Sequence, residues 1–317
     1  MSIAAASDLD GQPAGLRIGD LGPGQLASLL QRGRLALQTG PLLSRLQTGL
    51  GDVAHYVGRA YRHHPCVIDA EFADVSVTLR RPLNLRRWLR SQVEFLVEGE
   101  SPFEPLPRDQ APALLEWGLN WTIASSCHQW LTIHAACLER GGRAVILPAP
   151  PGSGKSTLCA ALALRGWRLL SDELTLLDPV DGRVWGLARP INLKNASIDV
   201  IHQAFPDAII GAPAHDTHKG TVAHLRSTPD SIARVGEKAR PAWVVFPRWR
   251  AGAEARLSPH SRAEAFLHTA SHAFNYSLLG GLGFELNAAL MDTSECHDFE
   301  YSRLDEAMRV FADLATS

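Results

Sequence analysis

The chain has 317 residues, of which 45% are hydrophobic and 20% are charged, and its formal net charge at pH 7 is −2. These values are typical of a globular protein long enough for two domains, and the lack of a basic excess argues against nucleic acid as the main partner. No apolar run reaches the length that spans a membrane and residues 1–15 lack a signal-peptide pattern, so we expect a cytoplasmic protein with no membrane partner.

Residues 1–107 are predicted to form an N-terminal α+β accessory domain that recognises the substrate, because they carry no phosphate-binding glycines and no paired carboxylates. Within them, residues 42–50 and 74–79 are predicted to be strands, with a helix at 52–61 between them. The basic segment 80–90 would suit an acidic peptide or a partner protein, although a solvated face is the favoured interpretation.

The sequence PFEPLP at residues 102–107 predicts an extended connector, and the second domain, residues 108–317, begins after it. A helix is predicted at 111–130, in which Trp117 and Trp121 lie four residues apart and are expected to share a buried face. All of the motifs that suggest chemistry lie in this second domain.

The rest of the second domain is predicted to contain many short strands. Strands are predicted at residues 131–138, 143–147, 167–171, 174–178, 183–187, 222–225, 242–246 and 254–258, and helices at 157–165, 262–276, 281–291 and 304–315. Gly141 and Gly142 suit a hairpin turn between the first two strands. Hairpin links of this kind indicate a mixed sheet, unlike the all-parallel sheet of an ordinary phosphate-loop protein.

The sequence APPGSGKST at residues 149–157 is the most informative segment, because a predicted strand precedes it and a predicted helix that ends at Gly166 follows it. In this arrangement backbone N–H groups cradle phosphate, the lysine reaches the β and γ oxygens, and the serine hydroxyl ligates Mg²⁺. We therefore predict that the chain binds ATP with Mg²⁺. The predicted nucleotide-binding residues are Pro151, Gly152, Ser153, Gly154, Lys155, Ser156 and Thr157. Ala149 stands where the pattern begins with glycine, so we expect Pro150 and Pro151 to stiffen the loop entry.

Two consecutive carboxylates, Asp172 and Glu173, end the predicted strand 167–171. A strand end beside a phosphate loop is where a metal-coordinating carboxylate is expected. With Ser156, both are candidate metal ligands, and one of them is expected to face the acceptor; a turn pair is the alternative. His134 precedes the loop strand and is structural by default, but a hairpin would bring it to the carboxylates.

Three further features are weaker signals. The charged segment 215–221 is predicted either to close on ATP or substrate, with Lys219 contacting phosphate, or to be a mobile surface loop. His268 and His272 lie four apart on a predicted helix, but without a third ligand a solvated or core pair is favoured over a metal site. The five cysteines form no Cys-x-x-Cys pair, which predicts buried reduced thiols.

These spacings, with the sequence GWRLLSDE at residues 166–173, resemble the HPr kinase/phosphorylase family, bacterial protein kinases related to PEP carboxykinase. The resemblance runs from about His134 to about Asn195. With the subgroup called HPr kinase-related kinases of the A type it spans nearly the whole chain, because LEWGLNW at 115–121 and PAPPGSGKST at 148–157 recur there. It implies an α/β fold with a mixed-sheet P-loop kinase core of the HPr kinase/PEP carboxykinase type.

The resemblance also implies roles for single residues. The family's catalytic histidine falls on His134, and its loop lysine and metal-binding serine fall on Lys155 and Ser156. Its two consecutive aspartates fall on Asp172 and Glu173, so Glu173 would take the acceptor's proton and Asp172 would be held by His134. The side chain of Glu173 is longer than the family's aspartate by about one carbon–carbon bond, a distance that matters for positioning.

The family's further acidic metal ligand would fall in residues 189–195, which contain no carboxylate. Arg189 and Lys194 lie in that segment and are predicted to be catalytic cations that contact the transferring phosphoryl oxygens. For this reason the reverse, phosphorylase reaction is not expected.

The leading hypothesis is an ATP- and Mg²⁺-dependent kinase that phosphorylates a hydroxyl, foremost Ser or Thr of a small protein or peptide, with the product of a neighbouring gene as one candidate. A kinase of a free amino acid or a sugar is the second hypothesis. A nucleotide-gated switch or scaffold with weak hydrolysis is the third. A closed cleft would favour a small acceptor and an open groove a polypeptide. Both a monomer and a homo-oligomer are compatible with the sequence.

Overall fold

The computed structural model describes residues 15–82 and 91–316. Its helices are α1 (Pro23–Gln31), α2 (Gly51–Ala60), α3 (Ala111–Ser126), α4 (Lys155–Leu164), α5 (Ala196–Ala204), α6 (Pro229–Ala233), α7 (Arg262–His272), α8 (Tyr276–Leu279), α9 (Gly281–Thr293) and α10 (Leu304–Thr316). Its strands are β1 (Leu35–Thr39), β2 (Leu42–Thr48), β3 (Cys66–Ile68), β4 (Val75–Arg80), β5 (Gln92–Val97), β6 (Leu106–Pro107), β7 (Leu131–Ile133), β8 (Ala135–Arg140), β9 (Arg143–Pro148), β10 (Arg168–Ser171), β11 (Thr175–Leu177), β12 (Val184–Trp185), β13 (Ile191–Lys194), β14 (Ala214–Thr217), β15 (Gly220–Leu225), β16 (Arg240–Trp249), β17 (Arg256–Pro259) and β18 (Glu295–Tyr301).

The N-terminal elements form a sheet with the strand order β3-β1-β2-β4-β5-β6. β2 pairs with β4 in parallel and the other neighbours pair antiparallel. Buried and less buried residues alternate along β2 and β4, as expected for strands with one face on a core. The strands predicted at 42–50 and 74–79 and the helix predicted at 52–61 are confirmed. Most of the predicted basic segment 80–90 lies outside the described residues, and Arg80 pairs with Glu94.

Helix α3 links this sheet to the rest of the molecule. Its Leu114, Leu115 and Leu119 belong to the core of the N-terminal sheet. Near its other end, Ile123 packs in a cluster that includes residues of β11. The predicted boundary after residue 107 assigns α3 to the second domain, whereas these leucines pack on the first. The division into 1–107 and 108–317 stays a prediction.

The second large sheet has the strand order β10-β8-β9-β16-β18-β17. β16 pairs in parallel with both β9 and β18, and the remaining pairs are antiparallel. Alternate residues of β9 face two cores, one containing α4 and α10 and the other α7 and α9. This is a mixed α/β architecture with helices on both faces of the sheet, so the predicted mixed sheet is confirmed. None of the described helices has the length and apolar character needed to cross a membrane.

Several local predictions differ from the structure. The predicted strand 131–138 is two strands separated at His134, and the segment 215–221 is the tip of the β14–β15 hairpin. Trp121 is 42% exposed, because the leucines of α3 fill the N-terminal core, and the expected buried face shared by Trp117 and Trp121 is therefore wrong.

All five cysteines are free and buried, as predicted.

Candidate active site

The glycine loop connects the end of β9 to the start of α4, in the predicted order. Gly152 and Gly154 have φ values of +85° and +86°, which side chains other than glycine rarely adopt. A Cβ on Gly154 would lie 2.5 Å from the hydroxyl oxygen of Tyr301, so glycine is also required there by space. The Tyr301 hydroxyl donates to the Gly154 carbonyl at 3.1 Å, and the backbone N–H of Trp249 donates to the Ser153 carbonyl at 2.8 Å. The ends of β18 and β16 thus hold the loop in place.

Lys155 is the first residue of α4, and its ammonium is buried without a partner. The residue is 8% exposed, and Nζ donates no hydrogen bond to any described residue. Burial lowers the pKa of Lys155, while Asp172 and Glu173 act in the opposite direction. Removing a cation from water without a hydrogen-bonded partner costs several kcal/mol, roughly. The position therefore suits an anionic ligand that would supply the missing partner.

Asp172 follows β10 and has one free carboxylate oxygen. Its Oδ2 accepts a hydrogen bond from the backbone N–H of Asn192 at 3.1 Å, whereas the buried Oδ1 has no partner among the described residues. Burial raises the pKa of Asp172 to about 6, although Lys155 opposes the shift. The free oxygen could bind a metal ion or a proton.

Glu173 is held by two amides and a nearby ammonium. Its Oε2 accepts from Asn120 Nδ2 at 3.1 Å, its Oε1 accepts from Asn192 Nδ2 at 3.3 Å, and Lys194 Nζ lies 3.6 Å from Oε1. Burial would raise the pKa of Glu173, but Lys194 and Lys155 outweigh it and lower the pKa to about 2. Glu173 is therefore an ionised, oriented acceptor of hydrogen bonds at neutral pH.

Arg189 lines the small cleft beside Glu173 but not the loop cavity, and other side chains engage its guanidinium, so its predicted contact with phosphoryl oxygens is corrected. Its Nη2 donates to Glu116 Oε2 at 2.6 Å and its Nη1 donates to Asn120 Oδ1 at 2.6 Å. The Tyr61 hydroxyl also donates to Glu116, at 2.7 Å to Oε1. The buried carboxylate of Glu116 thus engages the guanidinium. Arg189 is a positioning residue that fixes Asn120, which in turn fixes Glu173.

His134 lies at the break between β7 and β8. The backbone N–H of His134 donates to the backbone carbonyl of His272 at 2.8 Å. The centre of the His134 ring is 5.6 Å from the centre of the Phe274 ring. Burial, with the charge of Lys155, lowers the pKa of His134 to about 4. Within the described residues its side chain makes no hydrogen bond to Asp172, so the implied support of Asp172 by His134 is absent. Instead, Asn192 supplies that support.

Most of the predicted site residues line one cavity of about 210 Å³. The cavity is lined by the loop, the start of α4 and residues from three other segments: His134, Ala149, Pro150, Pro151, Gly152, Ser153, Gly154, Lys155, Ser156, Thr157, Glu173, Asn192, Lys194 and Ser197. Asp172 lies behind it, in a smaller cleft that Glu173 also lines. Lys219 lies outside the cavity, with Nζ 5.2 Å from the ring centre of Trp117. Its charge nevertheless helps to lower the pKa of Glu173, and its contact with phosphate stays a prediction.

Two asparagines complete the site and were not among the predicted residues. Asn120 lies on α3 and Asn192 on β13, and each donates to Glu173. Both occur in segments with a sequence signal, the first in LEWGLNW and the second in the segment 189–195 without carboxylates. The lack of the expected carboxylate in residues 189–195, which contain asparagines, is the available indication.

A larger cavity, of about 900 Å³, adjoins the loop on its other side. It shares Gly152 and Ser153 with the first cavity and has aromatic walls from Phe246 and Trp249. The bulk of a nucleotide could occupy this space while its phosphates lie at the loop. Among the described residues, no group of three or more His, Cys, Asp or Glu could hold a metal ion, so the predicted pair of His268 and His272 has no third ligand.

The comparisons with known proteins do not assign the chain to a family. No family model matches the chain, and no curated protein matches it. Among solved structures, the chain is similar to the Hpr(Ser) kinase/phosphatase from Coxiella burnetii, with 13% sequence identity, coverage of 58% of this chain and 97% of that chain, and a TM-score of 0.25. A TM-score this low does not establish a shared fold.

Proposed function

We propose that the chain is an ATP- and Mg²⁺-dependent kinase that transfers the γ-phosphoryl group to a hydroxyl, foremost that of Ser or Thr in a small protein or peptide. The observation that carries the proposal is the buried, unpartnered ammonium of Lys155 beneath a loop with two left-handed glycines, beside the carboxylate pair Asp172–Glu173. Loop amides and a lysine bind phosphates, and carboxylates bind a metal and orient a nucleophile.

The residues present fit both ATP and Mg²⁺. An anionic phosphate would supply the partner that Lys155 Nζ lacks. Mg²⁺ is commonly bound by one or two carboxylates together with a hydroxyl and substrate phosphates. The Ser156 hydroxyl and the free Oδ1 of Asp172 are the groups that would contribute to such a set. Glu173 is the second candidate carboxylate, although its oxygens already accept from two asparagines.

Glu173 is the residue that we assign to the acceptor. It lines the same cavity as Lys155, and its charge is maintained by Lys194. An ionised carboxylate accepts a hydrogen bond from a hydroxyl, orients the oxygen and receives the proton at Oε when transfer occurs. Mg-ATP, when bound, supplies the phosphoryl group and the leaving ADP. Asn120 and Asn192 keep the carboxylate of Glu173 in place.

Two other functions are the alternative outcomes of the test described below. A small-molecule kinase would use the same phosphate site with a different acceptor, and a nucleotide-gated switch would bind and slowly hydrolyse ATP without an acceptor. Both share the loop and the carboxylates. The acceptor therefore distinguishes the three.

The test is transfer of label from γ-labelled ATP to candidate peptides, neighbouring-gene proteins, amino acids and sugars. Glu173→Gln should retain affinity for Mg-ATP and lose about 10²–10⁴ in rate, the usual contribution of a positioned base. Asp172→Asn should instead weaken the dependence on Mg²⁺. Glu264→Gln, at an exposed position of α7, is the matched control and should behave as wild type. Normal transfer by Glu173→Gln would overturn the assigned role, and labelling of no acceptor would favour the switch.

A further inference from the structure

A second cavity, of about 350 Å³, lies away from the glycine loop, between α2, the start of α3 and the hairpin β14–β15. It shares no lining residue with the cavity that contains Lys155. Part of its wall is apolar, from Tyr56, Ala60, Pro112, Ala113 and Val222. Its volume falls in the range of small-molecule sites, which have mostly apolar walls and a few polar groups.

Two arginines on this wall lack a carboxylate partner. Arg59 and Arg226 both line the cavity, and within the described part of the chain neither forms an ion pair. Burial, followed by the charges of Arg62 and Arg59, lowers the pKa of Arg226. Like charges that approach one another without a counter-ion repel. An anion bound between the two guanidinium groups would offset that repulsive energy.

The carboxylates on the same wall do not neutralise these arginines. Asp52 accepts from Arg108 Nε at 3.1 Å and is engaged there. Asp109 is exposed and forms no ion pair with any described residue. The cavity therefore has two guanidinium groups that form no ion pair within the described residues, next to an apolar wall and with the unpaired carboxylate of Asp109 also in its lining.

A buried histidine separates this cavity from the carboxylates of the candidate active site. His224 is 5% exposed, lines the cavity and also lines the cleft that contains Asp172 and Glu173. Its Nε2 has no hydrogen-bond partner among the described residues. Burial lowers the pKa of His224, so the ring is neutral at pH 7 and can donate or accept a hydrogen bond.

We propose that this cavity binds a small organic anion, a carboxylate or phosphate attached to an apolar group, with Arg59 and Arg226 on the anion and the apolar group against Tyr56 and Val222. Guanidinium groups bind both kinds of oxyanion, often in a bidentate manner. The site is independent of the glycine loop. Its ligand would lie on the far side of His224 from Glu173.

The experiment measures binding to the full chain by calorimetry in the absence of nucleotide. The probes are 3-phenylpropionate, phenyl phosphate and the neutral alcohol 3-phenylpropanol, which separate carboxylate, phosphate and apolar contributions. Saturable binding of at least one anion, at least about tenfold tighter than the alcohol, is expected; tenfold corresponds to ~1.4 kcal/mol.

The variants Arg59→Gln and Arg226→Gln should each raise the Kd of that anion at least about tenfold. Arg183→Gln, at an exposed arginine outside the cavity, is the matched control and should leave the Kd unchanged. Affinity for Mg-ATP should be the same in all three variants. Because nucleotide binding and anion binding are measured independently, a failure of the kinase proposal is distinguished from a failure of this one. The inference is overturned if neither anion binds, if the alcohol binds equally well, or if both arginine variants bind as wild type.

Discussion

Two clusters of buried charge in this molecule differ in whether their polar atoms have partners. Between β8 and β10, Arg168 is 2% exposed and Glu139 is 1% exposed at the side chain, and they form a direct ion pair. Arg168 Nη1 also donates to the carbonyls of Arg234 at 2.7 Å and Glu237 at 2.9 Å. Beside the glycine loop, by contrast, Lys155 Nζ and Asp172 Oδ1 are buried without a hydrogen-bond partner among the described residues. The polar groups of the first cluster have partners within the fold, and the second cluster is the one to which we assign a ligand.

The difference follows from the cost of burying charge. Native proteins give nearly all buried polar atoms a hydrogen-bond partner, so an exception requires an explanation. Within the described residues, Ser153 Oγ and Asn192 Oδ1 lack a partner as well, and both line the same cavity as Lys155. Other buried atoms without a partner occur elsewhere in the fold, but Lys155 Nζ is the ammonium among them.

Breaking the complete cluster should have the largest effect on stability. Arg168→Met removes one partner and leaves the Glu139 charge buried, so the free energy of unfolding should fall by about 3–5 kcal/mol. The double variant Arg168→Met, Glu139→Met should recover most of that loss, because two apolar side chains of similar volume replace the pair. Urea unfolding measures both. A loss below about 1 kcal/mol in the single variant would contradict the comparison.

Breaking the incomplete cluster should have the opposite signature. Lys155→Met removes an unpartnered buried cation, so the unfolding free energy should stay the same or rise. Affinity for Mg-ATP should fall by about 2–5 kcal/mol, the usual cost of truncating a buried charge contact. The control is Lys238→Met, whose ammonium lies 2.9 Å from Asp178 and 2.6 Å from Asp181. Lys238→Met should lose some stability and leave Mg-ATP binding intact; a destabilised Lys155→Met with normal Mg-ATP binding would reverse the assignment.

A buried histidine near the ion pair of Glu116 and Arg189 provides a test by pH. His64 Nε2 lies 3.1 Å from the Ala188 carbonyl, and burial lowers the pKa of His64 to about 4. The unfolded chain binds a proton near pH 6.5 and the folded chain does not, so stability is full above pH 6.5 and falls as the pH decreases toward 4. Between pH 6.5 and 5.5, wild type should lose about 1 kcal/mol more than His64→Gln.

The control for that measurement is His202→Gln, at an exposed position of α5, which should follow wild type. Urea unfolding at the two pH values gives the difference directly. Equal losses in wild type and His64→Gln would mean that His64 can be protonated in the folded chain.

The sequence predicted the local parts of this site and missed the distant ones. Strand, glycine loop and helix are adjacent in the chain, and their residue types determine them directly. The amide of Asn120 reaches Glu173 from 53 residues away, and Glu116 reaches Arg189 from 73 residues away. No local pattern records such pairs, and the sequence alone therefore predicts Arg189 to be a free cation.

The same limit applies to the fold. The mixed sheet was predicted from hairpin signals, but β18 was missed although it lies between β16 and β17. It carries three carboxylates, and its buried residues Cys296, Phe299 and Tyr301 do not alternate regularly because both faces of the strand pack on a core, so no strand pattern is visible in its sequence. Its place in the sheet depends on parallel pairing with β16, a long-range contact.

The smallest effect is expected from the hydroxyl that fixes the loop. Tyr301→Phe removes the hydrogen bond to the Gly154 carbonyl and keeps the ring, so the free energy of unfolding should fall by about 0.5–1.5 kcal/mol. The backbone of Gly154 stays at φ +86° because no Cβ is added, and Mg-ATP affinity should therefore fall by less than about tenfold. Tyr276→Phe is the control, since the Tyr276 hydroxyl makes no hydrogen bond to any described residue. If Tyr301→Phe lost Mg-ATP binding as completely as Lys155→Met, the loop would depend on this contact for its shape; the backbone conformation would then not be set by its glycines.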